Sequence, residues 1–172
     1  RSLDGGGTWS PWSWAAVGTT TIRALLFPGS NIGLALGEFG RVYRSQDNGG
    51  SWTLQSSLLN SPSLRAGGFI DHVNGFICGS SGALFSTDNA GVTWKALASG
   101  TSLSLQGIAF NPGGRGVLCG ESGTLLSTAN SGLNWSSCLD AFTTGKLRGI
   151  SLADENVTVA VGDSSGKGMI FR

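Results

Sequence analysis

The sequence predicts an all-β protein assembled from four copies of one structural unit, and three observations carry that expectation. Four tryptophans, Trp9, Trp52, Trp94 and Trp135, close four related polar turns at intervals of 41 to 43 residues. Between them two short apolar stretches recur in the same order, each bounded by glycine or polar residues, as strands are and helices are not. Glycine supplies 29 of 172 residues and charged residues only 12%, which makes the chain turn-rich and weakly charged.

Each unit resolves into four strands. The first is read at Ile22 to Phe27, Leu64 to Phe69, Leu105 to Phe110 and Leu147 to Leu152. The second is read at Leu34 to Leu36, Phe76 to Cys78, Val117 to Cys119 and Val159 to Val161, and each runs into a glycine-bearing hairpin that allows positive φ angles. A third strand follows each hairpin and a fourth starts at each Trp. Four short antiparallel strands are the content of one propeller blade. The expected fold is therefore an all-β β-propeller of four-stranded antiparallel blades, either a small closed ring or a segment of a larger propeller. The expected organisation is a single domain over residues 1–172 with repeats ending at Trp9, Trp52, Trp94 and Trp135. The stretch from Thr8 to Trp12 offers a strand to complete the last sheet beside Met169 to Phe171, which is how a ring seals its edges.

Composition excludes several function classes. A formal charge of +1 gives no field to gather nucleic acid. No apolar run approaches the roughly 20 residues needed to span a bilayer, so the chain is not expected to be membrane-spanning. Cys78, Cys119 and Cys138 form no C-x-x-C pair. Cys78 and Cys119 recur at one repeat position as small core residues. His72, the sole histidine, has no neighbouring ligand-type residue, so neither a metal nor a cofactor is expected.

The turns before the tryptophans follow Ser-x-Asp-x-Gly-x-x-Trp and resemble the Asp-box, or bacterial neuraminidase repeat. Its Asp accepts hydrogen bonds from backbone amides of its own turn, and its Trp buries an apolar face between sheets. The structural Asp-box residues read here are Asp4, Trp9, Asp47, Gly50, Trp52, Asp88, Gly91, Trp94 and Trp135, with Ala129 standing where the fourth box should carry Asp and one extra residue following. In families that carry it the box is structural, so these carboxylates are not expected to be acids or calcium ligands.

The order of motifs, with Leu147-Arg148-Gly149-Ile150-Ser151-Leu152, Ala160-Val161-Gly162 and Gly79-Ser80-Ser81-Gly82 leading to Ser86-Thr87-Asp88, is similar to that of the photosystem II stability and assembly factor family. The resemblance implies a non-enzymatic scaffold that docks on subunits of a membrane protein complex such as a photosystem, from the thylakoid lumen or another extracytoplasmic compartment. The family resemblance also implies an arginine-bearing docking face. Arg23, Arg65 and Arg148 share one slot of the first strand, with Gln106 in the remaining repeat, and are the expected partner-binding residues. Planar, permanently charged guanidinium forks suit carboxylates and carbonyl-rich loops. Equally, each Arg could pack its stem and pair with a nearby acid or carbonyl. The alternative function is a carbohydrate-binding or degenerate sialidase-like propeller. Against catalysis, Tyr43 lies in a strand leading to an Asp-box, and Glu38 and Glu121 are hairpin residues rather than a facing acid pair. Trp9 to Trp14 resembles a Trp-rich strand of a thrombospondin repeat without its cysteines. Asn134-Trp135-Ser136 and Asn156-Val157-Thr158 have the form of glycosylation sequons.

Overall fold

The computed structural model describes residues 2–10, 19–29, 31–58, 63–138, 145–154 and 157–172. Trp12, Trp14 and the Asn156 sequon lie outside the described residues. The first sheet comprises β1 (Ile22–Leu26), β2 (Gly33–Gly37), β3 (Arg41–Ser45) and β4 (Thr53–Ser57). The second comprises β5 (Leu64–Phe69), β6 (Gly75–Gly79), β7 (Leu84–Thr87) and β8 (Lys95–Ala96). The third comprises β9 (Leu105–Phe110), β10 (Gly116–Gly120), β11 (Leu125–Thr128) and β12 (Ser136–Ser137). The fourth holds three described strands, β13 (Lys146–Leu152), β14 (Thr158–Ser164) and β15 (Lys167–Phe171). Every pairing is antiparallel between consecutive strands, the up-and-down order of propeller blades.

The sheets stack in chain order through their first strands, β1 on β5, β5 on β9 and β9 on β13. Among the described residues no comparable packing joins the first sheet to the fourth. Alternation along each second strand sends side chains to two interfaces. Leu34 and Leu36 meet Leu64 and Ile77 from the second sheet, while Phe76 and Cys78 meet Leu105 and Leu118 from the third. Cys119, Leu147 and Ala160 close the last interface. The two core cysteines are fully buried, and burial pushes the Cys119 thiol up to about 12, which keeps it protonated and inert.

Two tight hairpins per repeat share one backbone solution. At the turn between second and third strands, Phe39-Gly40, Ser81-Gly82, Ser122-Gly123 and Ser165-Gly166 all take positive φ. The Asp-box turns do the same at Gly5-Gly6, Asn48-Gly49, Ala90-Gly91 and Ser131-Gly132. Two successive left-handed residues make the hairpin whose twist matches that of the flanking strands.

This geometry corrects the reading of the boxes. In the second box Ser45 Oγ donates to Asp47 at 2.7 Å, and the Ser51 amide and hydroxyl donate to it at 2.8 and 2.7 Å. Those bonds, the Ser51 hydroxyl foremost, hold the Asp47 carboxyl down to about 2, and the matching bonds from Thr8 put Asp4 well below the usual carboxylate range. In the third box the acceptor is Asn89, not Asp88: Thr87 Oγ1 and the Thr93 amide both donate to Asn89 Oδ1 at 2.9 Å. In the fourth it is Asn130, bonded by Thr128 Oγ1 at 2.9 Å and by the Asn134 amide at 3.1 Å. No residue is inserted, and Ala129 is simply the variable position between Thr128 and Asn130. The left-handed glycine of the second box is Gly49, φ 81°, rather than Gly50. An amide oxygen accepts the same backbone bonds as a carboxylate, which is why Asn serves.

A comparison of two neighbours checks this frame. Asn89→Ala should lower stability by about 1 kcal/mol, as loss of a side-chain cap on backbone amides does. Asp88→Ala, at an exposed position, should change it by less than about 0.5 kcal/mol. Urea unfolding followed by circular dichroism reads both, and the reverse ranking would restore Asp88 as the box residue.

The tryptophans divide. Trp52 is buried and its indole donates to Gly49 O at 3.1 Å. Trp94 and Trp135 pack into the interfaces before their own sheets. Trp9 departs from the expected burial: its box is fully bonded, yet the ring is 75% exposed because no sheet lies beneath it among the described residues. The expected strand from Thr8 to Trp12 is not formed over Thr8 to Ser10, and the rest of it lies outside the described residues.

Candidate functional site

The first strands all break register at the same place. β1 pairs Ile22 with Gly37 and then Ala24 with Leu36, so Arg23 faces no partner residue. Arg65 is skipped in the same way between Leu64 and Ala66, Gln106 between Leu105 and Gly107, and Arg148 between Leu147 and Gly149. Each of the four slot residues is therefore the extra residue of a β-bulge, the device that re-aims a side chain at the rim of a sheet. All four reach the end of the sheets that carries the hairpins between second and third strands.

There each slot residue bonds the first residue of its own hairpin, 15 positions on in every repeat. Arg23 pairs with Glu38 at 2.6 Å. Arg65 Nε donates to Ser80 Oγ at 3.1 Å, and its Nη1 donates to Gln106 Oε1 in the next sheet at 3.4 Å. Gln106 Nε2 donates to Glu121 at 3.4 Å, and Glu121 is bridged from the fourth sheet by Lys146 at 2.7 Å. Arg148 pairs with Asp163. The Lys146 ammonium is the main cause of the lowered Glu121 pKa, with a through-space contribution from Arg65. The result is a polar belt that ties the second, third and fourth sheets together at this end.

The hairpin end is basic. Arg23, Arg41, Arg65, Lys146, Arg148 and Lys167 lie there against Glu38, Glu121 and Asp163. Phe39, 69% exposed on its hairpin, and Leu103, half-exposed before β9, add apolar surface. The opposite end carries the Asp-boxes, with a groove of about 640 Å³ between the second and third sheets. Asp71, Asp88, Trp94 and Lys95 are among its lining residues.

The carboxylates weighed for hydrolysis are occupied elsewhere. Glu38 and Glu121 belong to different sheets and each is held by a cation. Tyr43 is buried, its hydroxyl 3.4 Å from Thr20. His72 Nδ1 lies 2.8 Å from Pro28 O and links the first two sheets. Among the described residues no three His, Cys, Asp or Glu side chains gather as metal ligands would.

Four up-and-down sheets stacked side by side, with Asp-boxes at one end and bulge-borne side chains at the other, define a β-propeller of the Asp-box class. The chain belongs to the photosynthesis system II assembly factor YCF48 family, whose model matches residues 51–166. No curated protein matches it. Among solved structures it is similar to YCF48 bound to D1 peptide, at 20% identity and TM-score 0.70 over 94% of this chain and 56% of that one. YCF48 from Cyanidioschyzon merolae follows at 16% identity and TM-score 0.68, over 89% of this chain and 53% of that one. An ancestral GH74 enzyme, also 16% identical with TM-score 0.68, is covered over only 22% of its length and shares the fold. The chain thus spans little more than half the length of the YCF48 structures it matches.

The bulges were not visible in the sequence, since a register shift leaves no mark in a single strand. The pairing 15 residues on was available as a recurrence of Glu38, Ser80, Glu121 and Asp163 behind the slot residues, but it becomes meaningful only once the register is known.

Proposed function

We propose that this chain acts by binding, as a scaffold that docks on a photosystem II subunit during assembly, with the hairpin end as its docking surface. The observation that carries the reading is the bulge repeated in all four first strands, which delivers Arg23, Arg65, Gln106 and Arg148 to one end. Bulges of this kind interrupt the ladder, and their repetition gathers the guanidinium groups at one rim, where the pairs Arg23–Glu38 and Arg148–Asp163 shape the surface and Arg65 stands without an ion pair. Exposed Phe39 and Leu103 beside guanidinium groups are the pairing of apolar and arginine surface that protein interfaces favour. A peptide of the D1 protein, the ligand in a similar structure, is the partner of choice, and the thylakoid lumen the compartment. Among the described residues no helix is long and apolar enough to cross a membrane, and the reading places the chain peripherally.

The test is fluorescence anisotropy with overlapping labelled D1 peptides. The unaltered chain should bind at least one, and the triple variant Arg23→Ala, Arg65→Ala, Arg148→Ala should lose about tenfold or more in affinity, the worth of one or more charge-assisted hydrogen bonds. Affinity unchanged within about twofold would remove the hairpin end as the docking surface.

A further inference from the structure

The four slot residues are bonded alike but not charged alike. Arg23 is neutralised by Glu38 and Arg148 by Asp163. The third repeat has an uncharged Gln106 opposite Glu121, and that carboxylate is taken by Lys146. In the second repeat alone, a cation in the slot meets an uncharged hairpin residue, Ser80. Arg65 spends Nε on the Ser80 hydroxyl and one terminal nitrogen on the Gln106 amide oxygen, at 3.1 and 3.4 Å. Its other terminal nitrogen has no hydrogen-bond partner among the described residues, and no carboxylate there lies within ion-pair distance of it. A guanidinium held at two of its nitrogens by neutral acceptors is oriented without a direct ion pair, and Glu121, the carboxylate that feels its charge through space, is bonded to Lys146, which leaves Arg65 with donors for an incoming anion.

We propose that Arg65 is the anion-recognising position of this face, that it takes a single carboxylate of the docked segment between the second and third sheets, and that Arg23 and Arg148 are internal ion pairs that shape the rim without binding the partner. The inference rests on the docking reading for its ligand but not for its site. Gln106 positions Arg65 from the neighbouring sheet, so the orientation of the fork depends on the packing of β5 against β9. Ser80 sets the specificity by being neutral: a carboxylate there would reproduce the Arg23–Glu38 pair of the first sheet and close the site from within.

The experiment follows the arginine Nε–H signals of the full chain by nitrogen-15 NMR during titration with sodium acetate, against matched sodium chloride. Arg65 should show the largest, saturable shift, and Ser80→Glu should abolish it. Folding of that variant is checked by its thermal melt, and because Glu38 and Glu121 occupy the same hairpin position a native melt is expected. The second arm repeats the titration with the tightest-binding D1 peptide as free acid, as C-terminal amide and with its Asp and Glu replaced by Asn and Gln. Whichever replacement lowers affinity identifies the source of the carboxylate. Arg65→Ala and Ser80→Glu should each weaken peptide binding about tenfold or more, and Arg23→Ala or Arg148→Ala less than about threefold. Equal or larger shifts at Arg23 or Arg148, or an unaltered response in Ser80→Glu, would overturn the assignment. An Arg65 response to acetate without binding of any D1 peptide would leave the anion site standing and remove the docking reading instead.

Discussion

Leu118→Ala should destabilise the chain by about 3 kcal/mol, within the 2 to 5 that a buried leucine costs when its cavity cannot collapse. Leu118 is fully buried at the centre of β10, paired with Ile108 on one side and Leu126 on the other. It packs in one cluster with Phe76, Cys78 and Leu84 of the second sheet. Neither side of the site can move in to fill the space, because both walls are sheets fixed by their own ladders. In a stacked array each interface supports only its neighbours, so loss at the middle interface should also lower the cooperativity of unfolding. Urea titration monitored by tryptophan fluorescence reads both quantities. A loss below about 1 kcal/mol would mean that the second and third sheets do not share this core.

Gly82→Ala should cost about as much for a different reason. Gly82 has φ of +70°, and a Cβ there would lie 1.9 Å from the Thr101 carbonyl oxygen, a backbone atom that cannot swing aside. Ser99 clamps the same place, its hydroxyl donating to Gly82 O at 2.7 Å. Left-handed strain of about 1 kcal/mol therefore adds to an overpacking cost of about 1 to 3 kcal/mol. Gly100 provides the control. It has φ of +79° with no atom within 4 Å of its added Cβ, so Gly100→Ala should lose only the conformational part, about 1 kcal/mol. Equal effects at the two positions, measured by thermal unfolding, would show that the loop carrying Thr101 does not press on the hairpin.

Much of the fold was legible because the repeat is printed four times. The first strands read at Ile22, Leu64 and Leu105 begin where β1, β5 and β9 begin, since apolar residues bounded by turn formers leave few alternatives. The box frame was harder. Ser86-Thr87-Asp88-Asn89 offers two overlapping matches, and the motif's preference for Asp points to the wrong one. Counting back from the tryptophans would have settled it, because Asp4, Asp47, Asn89 and Asn130 all stand five residues before a Trp. The exposure of Trp9 was illegible, because burial depends on what lies beneath the ring and not on the turn that holds it. The slot residues support two readings before the structure is known, a row of arginines facing a partner and arginines pairing within the chain. The structure supplies a chain-internal partner for each, and only the register reveals that Ser80 makes Arg65 the exception.

Docking of a photosystem II subunit on the hairpin end should be visible in amide hydrogen exchange of the chain with and without saturating D1 peptide. Added protection is expected at the starts of β5 and β9 and at the hairpins through Ser80 and Glu121, with the Asp-box turns unchanged. Protection confined to the Asp-box end, around Asp71, Asp88 and Trp94, would contradict it and move the docking surface to the groove on that rim.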